Sequence, residues 1–400
     1  MAEFFGIFPA WIAKSDKTSY NDYGHFISER EASQDFMSNR NQPFKNPNKE
    51  ARKALRKKIL LTAGFLLIAA LSILAVASQM KQDSLADLGR QLRQIHPWWA
   101  LAAVVSMLCF LLTEGFSIRA ACSALGFRPS FRRCCQYAAA DIYFSAITPS
   151  ATGGQPASVV LMHQDGISVA QGTAALLINL TMCAFATFGI GIVCFLFQYP
   201  IFCRFSFLSK LLIGVGFLMQ LVTALFLYLM VWHETLLHRI CSMLVRFGAR
   251  LHLIRNVEDK LDILADKMAE YRRAVGMITD RKHYIFHNLI FNFLQRVSQL
   301  GVTMFVFLAM GLKSATGFEI WAMQGYVVMG SNYVPIPGGM GIADLLLLDG
   351  FGSVMEPYVA AQLELISRSL SFYLCILLCG GILILRMIVR KARALKQKEK

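Results

Sequence analysis

The sequence predicts an all-α polytopic membrane protein, with about six spanning helices and two re-entrant half-helix hairpins arranged as an inverted repeat. Three observations lead to this fold class: an apolar composition, long apolar runs, and two breaks rich in proline and glycine. Of the 400 residues, 56% are apolar and 16% are charged, whereas about a quarter of a typical soluble chain is charged. The mean hydropathy is +0.48. This composition indicates that roughly half of the chain lies in a lipid bilayer.

Six apolar runs are long enough to cross a hydrocarbon layer of about 30 Å. They are Ile59–Ser78, Trp98–Ser117, Val169–Phe197, Leu211–Trp232, His283–Leu312 and Tyr358–Ile388. Basic residues set the orientation, because cytoplasmic loops carry an excess of Lys and Arg. Four arginines follow the second span and a basic run from Arg390 to Lys400 follows the last. We therefore expect a multi-pass protein of the bacterial plasma membrane with both termini in the cytoplasm.

These spans divide the chain into five segments. Residues 1–57 are expected to be a cytoplasmic, largely disordered basic tail, and 58–232 the first membrane half, which contains the repeat unit 98–197. Residues 233–282 carry acids, bases and helically spaced apolar residues, which predicts a cytoplasmic amphipathic helical loop. The second membrane repeat is expected at 283–390 and a basic cytoplasmic tail at 391–400.

Two further apolar segments contain breaks. Ala138–Met162 is interrupted by TPSATGGQP at 148–156, and Ile320–Leu348 by PIPGGMG at 335–341. Proline and glycine at this density end a helix. Because non-helical backbone at membrane depth is tolerated only inside protein or beside a wet cavity, each segment is predicted to be a re-entrant hairpin. The alternative is a pair of ordinary kinked spans.

The two breaks belong to an internal repeat. A shift of 185 residues places the second span on the fifth, Gly153 and Gly154 on Gly338 and Gly339, and the third span on the last. The orientation set by the basic residues makes the second unit run in the opposite direction to the first. Inverted repeats with broken helices at matching positions are typical of a transporter site near the bilayer midplane.

Charged residues within the apolar segments are candidates for the site, because a charge in the bilayer usually faces a cavity or the bundle interior. Arg296 is flanked by Asn292, Gln295 and Gln299, and Glu364 lies one turn before Arg368. The two arginines could hold a phosphate, which guanidinium binds through two hydrogen bonds. Alternatively, Arg368 only neutralises Glu364 and Arg296 only packs helices. Near the second span, Arg119 is expected to anchor a helix at the cytoplasmic interface rather than bind substrate.

The glycine breaks supply a second type of candidate. A half-helix that begins at such a break presents free N–H groups to an anion, although the glycines could instead serve close helix packing. The predicted substrate-binding residues are Arg296, Arg368, Thr148, Thr152, Gly153, Gly154, Gln155, Gly338, Gly339, Gly341 and Asp344. The predicted charge-pair or coupling residues are Glu364, Glu114 and Asp141.

Other chemistries find little support in the sequence. The ten cysteines include no C-x-x-C pair and are interpreted as small core residues. No phosphate-binding loop of the form G-x-x-x-x-G-K-[ST] is present. We therefore expect no metal, no cofactor and no catalytic residue. The net charge of +15 could indicate nucleic acid, but basic residues that flank apolar runs favour membrane topology.

Three motifs resemble a known family. They are the run Phe144–Gly166 with TPSATGGQPAS, the segment VPIPGGMGIAD, and RSLSFY from Arg368. Over about residues 55–390 the chain is similar to the flippase-like membrane domain of bacterial lysylphosphatidylglycerol synthases. In two-part members this domain moves aminoacylated phosphatidylglycerol to the outer leaflet, and a separate soluble C-terminal domain makes that lipid from aminoacyl-tRNA.

The resemblance implies translocation of phosphatidylglycerol or its lysyl ester, which supports resistance to cationic peptides. Because the sequence stops soon after the last span, synthase activity by this chain alone is not expected, and a separately encoded synthase is a candidate partner. Two alternatives stay open. One is phosphatidylglycerol lysyltransferase activity with lysyl-tRNA, alone or with that partner, and the other is secondary transport of a small solute.

Overall fold

A computed structural model describes residues 96–148, 153–233, 281–333 and 342–398, with isolated residues between 235 and 276. The helices described below belong to one compact unit, formed by Lys81–Ile240 and Leu264–Lys400. The predicted first span Ile59–Ser78, the N-terminal tail, most of the loop 233–282 and the centres of both breaks lie outside the described residues. Within the described ranges the chain is helical and contains no strand.

Eleven α-helices and one π-helix make up these ranges. They are α1 Pro97–Ala124, α2 Phe131–Ile147, α3 Gly154–Gln164, α4 Val169–Phe197, α5 Tyr199–Arg204, α6 Phe207–Trp232, α7 Lys282–Ala309, α8 Gly317–Ser331, α9 Ile342–Gly352, α10 Pro357–Arg368, the π-helix Ser369–Leu374 and α11 Cys375–Lys398. The π-helix continues α10 into α11 without a break, so α10, the π-helix and α11 form one long helical rod.

Five of these helical stretches are long and apolar enough to cross a membrane. They are α1, α4, α6, α7 and the continuous stretch Pro357–Arg390, which confirms five of the six predicted spans. One of them, α6, leaves large apolar side chains exposed along its length, including Phe207, Leu211, Leu218 and Val222. Such a surface suits contact with lipid tails, because a membrane helix needs no polar outer face.

Several span ends differ from the prediction. Helix α6 begins at Phe207 instead of Leu211, and α11 continues to Lys398 instead of ending at Ile388. Helix α1 continues through Arg119 to Ala124 instead of ending at Ser117, and α7 ends at Ala309 instead of Leu312. Helices α1 and α7 each stop before a glycine with positive φ, at 90° for Gly126 and 70° for Gly311. A glycine adopts this conformation at little cost, and it closes a helix C-terminus. The ends of these two helices therefore follow the glycines and not the ends of the apolar runs.

The segments around both breaks form helix pairs, as predicted. Helices α2 and α3 have 17 and 11 residues, and α8 and α9 have 15 and 11. All four are shorter than the roughly 20 residues that a spanning helix needs. Within each pair the two helices pack against each other, so each break lies between two helices that are in contact.

The helix bounds repeat with the predicted offset. Adding 185 to the bounds of α1 (97 + 185 = 282 and 124 + 185 = 309) gives the bounds of α7, and Gly126 falls on Gly311. Packing repeats as well. In the first unit, α1 and α3 each contact both α2 and α4. In the second unit, α7 and α9 each contact both α8 and α10. Helices α1 and α7 pack along each other at the centre of the bundle, where the Ser106 hydroxyl donates to the Ser298 carbonyl at 2.8 Å.

Candidate functional site

A buried carboxylate lies between α1, α4 and α7. Glu114 of α1 is only 4% exposed. One carboxylate oxygen accepts a hydrogen bond from the Asn179 amide of α4 at 2.9 Å, and the other accepts one from the Gln295 amide of α7 at 2.6 Å. Two amide donors thus solvate a charge that the apolar interior would otherwise strongly disfavour.

The polar contacts continue along α7. The Asn292 amide donates to the Ser117 hydroxyl at 2.7 Å and to the Asn179 side-chain oxygen at 3.1 Å, and the Asn288 amide donates to the Ser117 carbonyl at 2.6 Å. Ser117 also donates to Asn179. We call these six residues the polar ladder: Glu114, Ser117, Asn179, Asn288, Asn292 and Gln295. The α7 members follow the i, i+4, i+7 spacing of one helix face, a signal that would have added Asn288 to the candidates.

Arg296 lies beside this ladder. Its Nη1 donates to the Gln299 side-chain oxygen at 2.6 Å and its Nη2 to the Cys183 sulfur at 2.9 Å. Its Nε is buried and has no hydrogen-bond partner among the described residues. The guanidinium interacts electrostatically with Glu114 and lines a small crevice with residues of α4 and α8. A cation with unused donor capacity therefore faces a crevice inside the bundle.

The first break brings several predicted residues together. The Thr148 hydroxyl accepts from the Gly153 N–H at 2.9 Å, and the Gln155 amide donates to Asp141 at 3.3 Å. Gly154 packs so tightly against Asp141 and Ser145 that an added Cβ would overlap both side chains. The second carboxylate oxygen of Asp141 is buried and has no hydrogen-bond partner among the residues that the structure describes. Thr152 lies outside the described residues.

Asp141 links the break to the ladder, because it interacts electrostatically with Glu114. Three charged side chains, Asp141, Glu114 and Arg296, therefore follow one another through the bundle. The arrangement offers a cation for an anionic group and two carboxylates for a cationic group. The sequence analysis named all three as candidates, Arg296 for substrate binding and Glu114 and Asp141 for charge pairing or coupling.

The second break is described only at its margins. Gly338, Gly339 and Gly341 lie outside the described residues, and only the backbone of Asp344 is described, within α9. Farther on, Arg368 pairs with Glu364, one turn before it, at 3.1 Å. The motif SLSFYL after Arg368 forms the π-helix, a feature that occurs often at functional sites.

Sequence reasoning missed a second buried ion pair. Arg386 of α11 is 6% exposed, and its two Nη atoms contact the two carboxylate oxygens of Asp165 at 3.1 and 3.0 Å. Tyr137 donates to the same carboxylate at 2.7 Å, and Arg386 also donates to Gln136 at 2.6 Å. This network ties the end of α3 to α2 and α11. The sequence signal that could have indicated this ion pair was the position of Arg386 within the predicted last span.

A helical bundle with five candidate spans and charged groups buried between them defines a multi-pass membrane protein. The family described as Lysylphosphatidylglycerol synthase TM region matches residues 61–379, which is most of the chain. The chain belongs to this family, a membrane domain associated with lysylphosphatidylglycerol, and the resemblance drawn from the sequence motifs is confirmed. No curated protein matches the chain.

Proposed function

We propose that this protein moves a phospholipid with an anionic or aminoacylated headgroup, of the phosphatidylglycerol or lysylphosphatidylglycerol type, between the leaflets of the bacterial plasma membrane. Exposure of the lysyl ester on the outer leaflet would support resistance to cationic peptides. The observation that carries the proposal is the series Asp141, Glu114 and Arg296, in which Glu114 is buried and the other two side chains are half-buried, in a chain of this family.

Helix lengths support an inverted arrangement of the two units. Helices α3, α8 and α9 are too short to cross, and α2, with 17 residues, is at the lower limit. We therefore treat each pair as a re-entrant hairpin that returns to the side from which it entered. Helices α1, α4 and α6 then contribute three crossings before α7 begins. An odd number of crossings inverts the second unit. In such transporters the substrate site lies at the interface of the repeats.

The chemistry of the site suits the proposed headgroups. The unused Nε of Arg296 can donate to a phosphate oxygen. The unpartnered oxygen of Asp141 can accept from an ammonium group, as in a lysyl ester. Gly153 and Gly154 place the start of α3 next to Asp141, where backbone N–H groups favour a negative group. The site therefore offers partners to both charges of an aminoacylated phospholipid.

Leaflet exchange in liposomes tests the proposal. The purified chain would be reconstituted with labelled phosphatidylglycerol, its lysyl ester or phosphatidylethanolamine, and the accessible label removed with an impermeant reductant. We expect exchange of the first two lipids to exceed exchange of phosphatidylethanolamine. We also expect Arg296→Gln to lower the rate about tenfold or more, since a charge-assisted hydrogen bond is worth about 1.5–3 kcal/mol.

Arg133→Gln is the matched control, because Arg133 is an exposed arginine of α2 and should leave the rate unchanged. Equal exchange by the parent chain and Arg296→Gln would remove Arg296 from the site. Failure of the folded parent chain to exchange any of the three lipids would refute lipid translocation and favour transport of a small solute.

A further inference from the structure

A second cavity lies away from the polar ladder, at the C-terminal end of α1 and the N-terminal end of α7. Its volume is about 280 Å³, and its lining includes Phe116, Arg119, Arg128, Tyr284, His287 and Phe291. None of these residues takes part in the ladder. We call it the interfacial pocket.

The pocket is strongly cationic. Arg119 and Arg128 are both exposed, and neither forms an ion pair within the described part of the chain. Arg128 donates to the Tyr284 hydroxyl and lies 5.4 Å from the centre of that ring, so its guanidinium is held in position. No Asp or Glu occurs at 115–135 or 281–291. An anion that enters the pocket would meet two arginines, and no Asp or Glu is among the described residues that line it.

The opposite end of the pocket is aromatic. The Phe116 ring stacks on Phe291 at 5.3 Å and on Phe131 at 4.1 Å between centroids. Along α1, Phe116 lies about one turn before Arg119, and along α7, Phe291 lies about two turns after Tyr284. Because α1 ends where α7 begins, both aromatic residues lie deeper in the bundle than the arginines. This order matches a phospholipid, with its phosphate above its acyl chains.

We propose that the interfacial pocket binds the headgroup of an anionic phospholipid, with the phosphate between Arg119 and Arg128 and the acyl chains against Phe116 and Phe291. Guanidinium binds phosphate through paired hydrogen bonds, and aromatic side chains are favoured at the membrane interface. The inference concerns binding alone and does not depend on translocation. It also changes the role expected for Arg119, from helix anchor to ligand contact.

Site-specific quenching tests this proposal. The full chain with Phe291→Trp would be placed in phosphatidylcholine vesicles that contain brominated phosphatidylglycerol or brominated phosphatidylcholine. Quenching beyond that of the parent chain reports lipid at the pocket. We expect phosphatidylglycerol to be preferred over phosphatidylcholine about tenfold. When Arg119→Gln and Arg128→Gln are both introduced into the Phe291→Trp chain, the ratio should fall to about one. Quenching by brominated phosphatidylcholine should persist in that variant, which shows that the helix still contacts lipid.

Arg133→Gln in the same background is the matched control, because Arg133 is exposed near the same end of the bundle but does not line the pocket. It should leave the preference within about twofold. Equal quenching by the two brominated lipids, or an equal loss in the control, would overturn the proposal. Abolition of the preference by millimolar inorganic phosphate, but not by chloride at equal ionic strength, would assign the pocket to a soluble anion and exclude the lipid.

Discussion

Breaking the ion pair between Arg386 and Asp165 should destabilise the half-helix that follows the first break. The two side chains are 5% and 13% exposed, and both carboxylate oxygens contact the guanidinium at 3.0–3.1 Å. Asp165 directly follows α3, so the pair holds the end of that helix against α11. Asp165→Asn removes the charge while nearly preserving the shape of the side chain.

The surrounding contacts set the magnitude. Removal of one partner of a buried ion pair costs about 3–5 kcal/mol, because it leaves an uncompensated charge. In Asp165→Asn, Arg386 keeps hydrogen bonds to Gln136 at 2.6 Å and to the Leu161 carbonyl at 3.2 Å. We therefore expect the lower end, about 3 kcal/mol. In Arg386→Gln, Asp165 keeps only the hydrogen bond from the Tyr137 hydroxyl among those named here, and the loss in free energy of unfolding should be similar.

A double-mutant cycle measures the interaction. The free energy of unfolding in detergent would be determined for the parent chain, Asp165→Asn, Arg386→Gln and the combined variant. Since the combined variant leaves no unpaired charge, its loss should fall short of the sum of the single losses by about 2 kcal/mol. Arg390→Gln, at an exposed arginine one turn later, should change stability by less than about 0.5 kcal/mol. Additive single losses would refute the assigned ion pair.

Three other substitutions test separate parts of the bundle by the same unfolding measurement. Gly154→Ala should lower the free energy of unfolding by about 1–3 kcal/mol, because the added Cβ would overlap Asp141 and Ser145. Gly214→Ala is the control, since its Cβ would meet no atom within 4 Å, and it should not destabilise the protein. Equal effects of the two substitutions would contradict the close approach at Gly154. Glu114→Gln should cost about 2 kcal/mol, because Arg296 loses a nearby negative charge; an unchanged stability would show that the two side chains do not interact. Thr316→Val should cost about 1 kcal/mol by removing the capping box that Thr316 forms with Glu319, and no loss would show that the cap contributes nothing.

The spans and the breaks could be predicted from the sequence because they depend on local composition. A long apolar run can satisfy its backbone only as a helix in lipid, and proline with glycine interrupts such a helix wherever it occurs. Helix ends were less predictable. Arg119 reduces the hydropathy of its segment, but the end of α1 depends on Gly126, whose positive φ closes the helix seven residues beyond Ser117 (124 − 117).

The candidate site was predictable in its charges but not in its pairings. Arg296, Glu114 and Asp141 stand out because a charge in an apolar segment is costly. Their neighbours come from distant parts of the chain. Gln295 is 181 residues from Glu114, and Arg386 is 221 residues from Asp165. Helix packing creates these contacts, and no local pattern records them, so the Arg386 network was missed although its arginine lies within a predicted span.

Cysteine labelling of the two breaks tests the inverted arrangement most directly. Thr148 and Tyr333 are separated by the repeat offset (148 + 185 = 333), and both are half-buried beside a break. Each would be changed to cysteine and treated with a membrane-impermeant maleimide in vesicles of either orientation, with the parent chain as the background. The account predicts labelling of Thr148→Cys only from the cytoplasmic side and of Tyr333→Cys only from the outside. Labelling of both from the same side would contradict it.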